Sequence, residues 1–213
     1  ETAKNPKGLF SLNNHTTTVL ACLAKEVGSV SIQSYDPKKL VTFKAHQSQI
    51  GSLELDHYGK KVCTVSEKGT VIRIFETETG TLLTELRRGS EYAQIFSLAF
   101  DTNSKWLACS SDTCTIHIFS LGSQEGTQSE ENTQTVAKNP KSKLSFLKGL
   151  SSYFDSQWSF AQFKVLDHKT KIAFDPQGSS FYIIGYDGNF YKVNFDPQTG
   201  GECIKEFEGK LFN

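Results

Sequence analysis

The sequence predicts an all-β protein built from about four copies of one four-stranded unit. Short apolar segments alternate with Gly-, Asp-, Asn- and Ser-rich turns along the chain, and helical periodicity is nearly absent. One stretch is also repeated. Val62-Cys63-Thr64-Val65-Ser66-Glu67-Lys68-Gly69-Thr70-Val71-Ile72-Arg73-Ile74-Phe75 and Leu107-Ala108-Cys109-Ser110-Ser111-Asp112-Thr113-Cys114-Thr115-Ile116-His117-Ile118-Phe119 each read as an apolar strand, a small polar turn and a strand ending Ile-Phe. Their Ile-Phe pairs lie 44 residues apart, within the ~40–45 residues that separate the blades of a WD-type β-propeller.

Weaker copies flank these two. Val19 to Ala24 leads to Gly28 to Ile32, and Phe181 to Gly185 leads to Asp187 to Val193. Each unit closes with a further strand, such as Leu40-Val41-Thr42-Phe43 or the segment from Thr81 to Leu86. One such sheet cannot cover both of its own faces, so the copies must stack, and a partial β-propeller is the economical reading. The expected blades are 1–46, 47–89, 90–165 and 166–213. The chain begins in mid-pattern at Glu1 and contains no methionine, so it reads as a piece of a longer protein; its open flanks are left either to missing N-terminal blades or to a second copy.

Charge narrows the function. Lys+Arg and Asp+Glu both number 23, and the net charge is zero. That balance argues against broad coating of nucleic acid, so any anion recognition must be local and geometric. Of the five cysteines, Cys22, Cys63 and Cys109 stand in apolar runs and read as buried free thiols in a reducing, cytosolic compartment. Cys109 and Cys114 lack partners at zinc-site spacing, so no metal and no cofactor are expected. No signal peptide or apolar run long enough to span a bilayer is present. Nor is there a nucleophile elbow, a metal-ligand cluster or a phosphate-binding glycine loop, and an enzyme is not expected.

The third unit is interrupted by an insertion over 122–157. Its first part, 122–135, is rich in Ser, Gln, Glu, Gly and Thr and reads as a loop. Within 141–158 the pattern changes: Leu144, Leu147, Leu150 and Phe154 recur at helical steps, with Phe146 and Tyr153 beside them and Lys138, Lys141, Lys143 and Lys148 adding charge. Such a helix either lies in a bilayer interface or packs back on protein.

The most informative run is Glu85-Leu86-Arg87-Arg88-Gly89-Ser90, closing a strand. If the strand continues through both arginines, they point to opposite sides and serve two anion sites. The alternative is a solvated pair at a strand end. A phosphomonoester suits such sites, because an arginine fork meets two of its oxygens while hydroxyls and turn amides meet the rest. Nearby histidines, if unperturbed, would strengthen binding as pH falls through ~6.5.

These residues resemble one family. The run over 64–75, the Leu86-Arg87-Arg88-Gly89 signature and the set Ser110-Ser111-Asp112, Thr115 and His117-Ile118-Phe119 are similar to the PROPPINs, or WIPI proteins, the WD-repeat proteins interacting with phosphoinositides. The leucine form, with Ser66-Glu67-Lys68-Gly69-Thr70 upstream, resembles the subgroup of the third and fourth human members more than the founding yeast autophagy member. Asn5-Pro6-Lys7-Gly8-Leu9, Ala45-His46 and Trp158-Ser159-Phe160 extend the resemblance over essentially the whole chain, as the last four of seven blades. The resemblance implies a non-enzymatic, cytoplasmic scaffold of autophagy or endolysosomal membranes. It would bind phosphatidylinositol 3-phosphate and phosphatidylinositol 3,5-bisphosphate at two rim sites and work with other autophagy proteins. The first site would comprise His46, Ser66, Thr70, Arg73 and Arg87, and the second Arg88, Ser110, Ser111, Thr115 and His117. The second turn is one residue shorter and has Cys114 in place of Gly69, so Ser110 against Ser111, and Thr113 against Thr115, remain alternative matches. Leu144, Phe146, Leu147, Leu150, Tyr153 and Phe154 would enter the bilayer.

Overall fold

A computed structural model describes residues 2–13, 15, 17–122, 138–140, 157–166, 169–176 and 178–211. Among them every helix-or-strand element is a strand, and the strands form four sheets, the all-β repeated organisation expected. The first sheet contains β1 (Phe10–Asn13), β2 (Val19–Leu23), β3 (Ser29–Tyr35) and β4 (Lys38–Lys44) in that order. The second contains β5 (Ile50–Leu55), β6 (Lys61–Ser66), β7 (Val71–Glu76) and β8 (Leu82–Arg87). The third contains β9 (Ile95–Phe100), β10 (Trp106–Ser111), β11 (Thr115–Ser120) and β13 (Ala161–Lys164). The fourth contains β14 (Thr170–Phe174), β15 (Ser180–Gly185), β16 (Asn189–Asn194) and β18 (Ile204–Lys210). Strands adjacent in each order are antiparallel.

Two short strands cross between units. β12 (Gln157–Trp158) runs parallel to β8 and makes a fifth strand of the second sheet. β17 (Gly201–Glu202) does the same beside β13 in the third. Residues 141–156, with the six expected bilayer contacts, lie outside the described residues; Gln157 and Trp158 form β12.

Strand alternation explains the stack. Val62 packs with Val30, Ile32 and Leu53 towards the first sheet, whereas its neighbour Cys63 packs with Leu98 and Leu107 towards the third. Ala108 turns the other way from Leu107 and joins Phe181, Ile183 and Val193 of the fourth sheet. Each middle sheet is therefore apolar on both faces and covered on both. Cys63 and Cys109 are fully buried free thiols. Cys22 is only partly buried, because it stands opposite exposed Phe10 on the face of β2 turned away from the second sheet.

The turn between β6 and β7 is closed by Gly69, whose amide donates to the Ser66 carbonyl at 2.9 Å. Gly69 has φ +69°, and a Cβ there would lie 1.8 Å from the Ala93 carbonyl oxygen. Both strain and collision oppose any side chain. Gly69→Ala is expected to cost about 2–3 kcal/mol in a denaturant titration, whereas Gly89→Ala, which meets nothing within 4 Å, changes the midpoint little.

Candidate functional site: two polar recesses at the sheet boundaries

Antiparallel partners share a face, so register alone assembles the first recess. Thr64 pairs with Arg73, Arg73 with Glu85, and Val71 with Arg87. Two-residue steps place Ser66 beside Thr64 and Arg87 beside Glu85, all on the face turned to the first sheet. His46, in the segment after β4, completes the group: its Nε2 is hydrogen-bonded to Thr64 Oγ1 at 3.0 Å. Arg73 is held from two sides, donating from Nε to Glu85 Oε2 at 2.9 Å and from Nη1 to the Ala45 carbonyl at 2.8 Å. Thr70 stands at the turn, where its carbonyl accepts the Arg88 amide at 3.0 Å.

Arg87 and Arg88 diverge as strand alternation requires. Arg87 ends β8 on the face of the first recess and is only 8% exposed. Arg88 is 6% exposed and reaches across to the third sheet. Its Nε donates to the Gly69 carbonyl at 2.8 Å, its Nη1 to Thr113 Oγ1 at 3.4 Å, and its Nη2 to the Glu91 carbonyl. Neither arginine belongs to a solvated charge pair. Burial of Arg88 requires these acceptors, and its fork offers more donors than they consume.

The second recess repeats the first on the third sheet. Cys109 pairs with His117 and His117 with Gln162, while Thr115 pairs with Lys164. Ser111 shares the face of Cys109, and its hydroxyl is hydrogen-bonded to Thr113 Oγ1 at 2.8 Å. His117 Nδ1 is hydrogen-bonded to Ser159 Oγ at 3.2 Å, which Gln162 Nε2 also reaches at 2.7 Å. Ser110 lies on the opposite face and donates to the Thr170 carbonyl at 3.1 Å, so the structure brings Ser111 but not Ser110 to Arg88. Thr113 is the hydroxyl in contact with Arg88; Thr115 Oγ1 donates instead to the Thr113 carbonyl at 3.4 Å. Cys114 adopts the left-handed conformation of Gly69, with φ 56°, so the two turns keep the same bend despite the change of residue.

Sequence reasoning missed Ser159, Gln162 and Lys164. Lys164 occupies on β13 the register position that Arg87 occupies on β8. Aligning the fourth strand of each unit would have found it, but the insertion over 122–157 hides that repeat in a linear comparison. The insertion is pinned at its base by Asn139. Its Oδ1 accepts the Ser120 amide at 2.7 Å, and its Nδ2 donates to the Ser120 carbonyl and, at 2.8 Å, to Gln157 Oε1. The Trp158 amide donates to the Pro140 carbonyl at 2.9 Å, which sets β12 against Arg87.

The expectation of histidines titrating near neutrality is not met, because neither imidazole is unperturbed. Burial first, and then the Arg73 guanidinium, lowers His46 from 6.5 to about 4. Burial and Arg88 lower His117 to about 4 in the same way. Both are neutral donors or acceptors at physiological pH.

This is part of a β-propeller with two cationic, hydroxyl-lined recesses on either side of one sheet. The PROPPIN family model matches residues 1–208, and the chain belongs to the PROPPIN family. It is 35% identical to autophagy-related protein 18e of Arabidopsis thaliana, over all of this chain and 54% of that protein. It is 36% identical to WD repeat domain phosphoinositide-interacting protein 2 of Xenopus laevis, over 99% of this chain and 51% of the other. The chain thus spans about half the length of these relatives. Kluyveromyces lactis Hsv2 with its complete loop 6CD superposes with a TM-score of 0.70 at 22% identity, covering 94% of this chain and 62% of the other. KlAtg21, in its complex with the coiled-coil of AgAtg16, gives 0.71 at 22%, covering 95% and 57%.

The buried histidines predict a stability profile. Between pH 6.5 and about 4 the unfolded chain takes up protons that folded His46 and His117 refuse, so stability present above pH 6.5 is lost as pH falls. The loss at pH 4 is roughly 3 kcal/mol per histidine. Urea titrations at pH 7 and pH 4.5 should show a smaller acid destabilisation in a His46→Gln/His117→Gln variant than in the parent.

Proposed function

We propose that the chain is the lipid-recognising part of a non-enzymatic peripheral membrane scaffold. It binds phosphatidylinositol 3-phosphate and phosphatidylinositol 3,5-bisphosphate and acts in autophagy or endolysosomal membrane dynamics. The observation that carries this reading is the burial of two adjacent arginines on opposite faces of one sheet, each beside its own hydroxyls and imidazole. An arginine held this way is preorganised for a phosphomonoester, and two headgroup sites on one rim multiply through effective concentration. The relative in Xenopus laevis is named as phosphoinositide-interacting, and that in Arabidopsis thaliana as autophagy-related.

In this reading the first recess uses His46, Ser66, Thr70, Arg73 and Arg87. The second uses Arg88, Ser111, Thr113, Thr115, His117, Ser159 and Lys164, with Ser110 bracing the sheet from behind. The segment over 141–156 supplies the bilayer contact. In this reading the four sheets are the last four of seven blades, and the chain is taken with the third and fourth human members, whose signature its leucine form of Arg-Arg-Gly resembles. The protein works on the cytoplasmic side of autophagosome-precursor, endosomal or vacuolar membranes, with other autophagy proteins as partners; the KlAtg21 complex with AgAtg16 supports the last point.

Vesicle flotation of the full-length protein tests the proposal. Arg87→Thr and Arg88→Thr should each weaken binding to vesicles containing phosphatidylinositol 3-phosphate by about tenfold or more, and together abolish it. Undiminished binding by the double variant would overturn the reading and favour a scaffold whose arginines contact acidic protein segments.

A further inference from the structure

The two recesses share one register, and one of its positions carries an acid in the first recess and a neutral amide in the second. On β8 the residue paired with Arg73 is Glu85; on β13 the residue paired with His117, the register equivalent of Arg73, is Gln162. The carboxylate is engaged in the recess itself, 2.9 Å from Arg73 Nε in a half-buried pair with side chains 31% and 20% exposed. Glu85 also shares a sheet face with Arg87, two residues along β8. The acids of the two turns do not create this difference. Glu67 is paired with Lys7 at 2.9 Å, and its counterpart Asp112 accepts the Gln94 amide at 3.0 Å. The first recess therefore contains a half-buried carboxylate paired with Arg73 on the face of Arg87; the second has a neutral amide in its place, and its nearest acid, Glu202 beside Gln162 on β17, is exposed.

We propose that Glu85 is a specificity-determining counter-ion that sets the charge an incoming headgroup must carry to occupy the first recess. A phosphate monoester brings nearly two negative charges and can compete with one carboxylate for Arg73 and Arg87. A phosphodiester brings one charge, offers fewer acceptors, and is repelled by the carboxylate already there. Glu85 thereby lowers the absolute affinity of the first recess while excluding the abundant lipids whose only phosphate is a diester. The second recess, with Gln162 and Lys164 on the matching strand and only the solvent-screened Glu202 beside them, binds anions more permissively. This inference rests on the phosphoinositide reading above.

The test isolates each recess in the full-length protein. In an Arg88→Thr background, Glu85→Gln should tighten binding to phosphatidylcholine vesicles carrying phosphatidylinositol 3-phosphate by roughly three- to tenfold. It should raise binding to vesicles carrying unphosphorylated phosphatidylinositol by a larger factor, so that discrimination between the two falls. In an Arg87→Thr background, the reciprocal Gln162→Glu should weaken binding and sharpen discrimination. Gln162 is exposed, so this arm is readable even if Glu85→Gln unfolds the chain. A folded Glu85→Gln variant with unchanged or weaker binding, or a Gln162→Glu variant with unchanged discrimination, would overturn the inference. Binding that survives loss of both arginines would overturn the phosphoinositide reading instead, and that double variant is run alongside.

Discussion

A four-stranded sheet has two faces and can bury each of them only against another sheet. Most of this structure follows from that constraint. Val62 and Cys63, or Leu107 and Ala108, are adjacent in sequence yet belong to different cores because a strand sends successive side chains to opposite sides. The same alternation continues to the end of β8 and separates Arg87 from Arg88. An arginine pair that would be a solvated ending on an isolated strand is instead divided between two inter-sheet boundaries.

Polar groups inside those boundaries survive largely because they are hydrogen-bonded across them. Asp56 illustrates the rule away from the recesses: one carboxylate oxygen receives the Lys60 and Lys61 amides, and the other receives Ser104 Oγ of the neighbouring sheet at 2.8 Å. Within the recesses, His46 and His117 are neutral for the same reason that the thiol of Cys109 is pushed up to about 12, since removal from water penalises the charged form. Positive charge is left to Arg73, Arg87, Arg88 and Lys164, with the neutral imidazoles and hydroxyls acting as directional hydrogen-bonding groups. An anion entering such a site meets donors already oriented by the sheet, so little ordering remains to oppose binding.

The parallel strands β12 and β17 tie the units together beyond simple stacking. β12 returns the chain from the insertion directly beside Arg87, and Asn139 holds both ends of that insertion to Ser120 and Gln157. The described residues on either side of 141–156, Pro140 and Trp158, are therefore fixed beside the end of β8.

The repeat, the all-β architecture and the two arginines could be read from the sequence, because strand periodicity and a 44-residue spacing are local properties that survive in one dimension. Sequence could also narrow the second site to a few hydroxyls. It could not choose between Ser110 and Ser111, whose opposite orientations depend on the register with β11 and on the neighbouring Thr170. Nor could it show that Lys164 stands where Arg87 stands, since a long insertion separates β13 from the rest of its sheet. The histidine behaviour depended on burial, and the role of Glu85 on its distance from Arg73; both arise only when sheets from distant segments close on each other. The arginine pair itself was legible from sequence, whereas what each arginine faces was decided by tertiary packing, because a side chain's surroundings belong to the neighbouring sheet and not to its own strand.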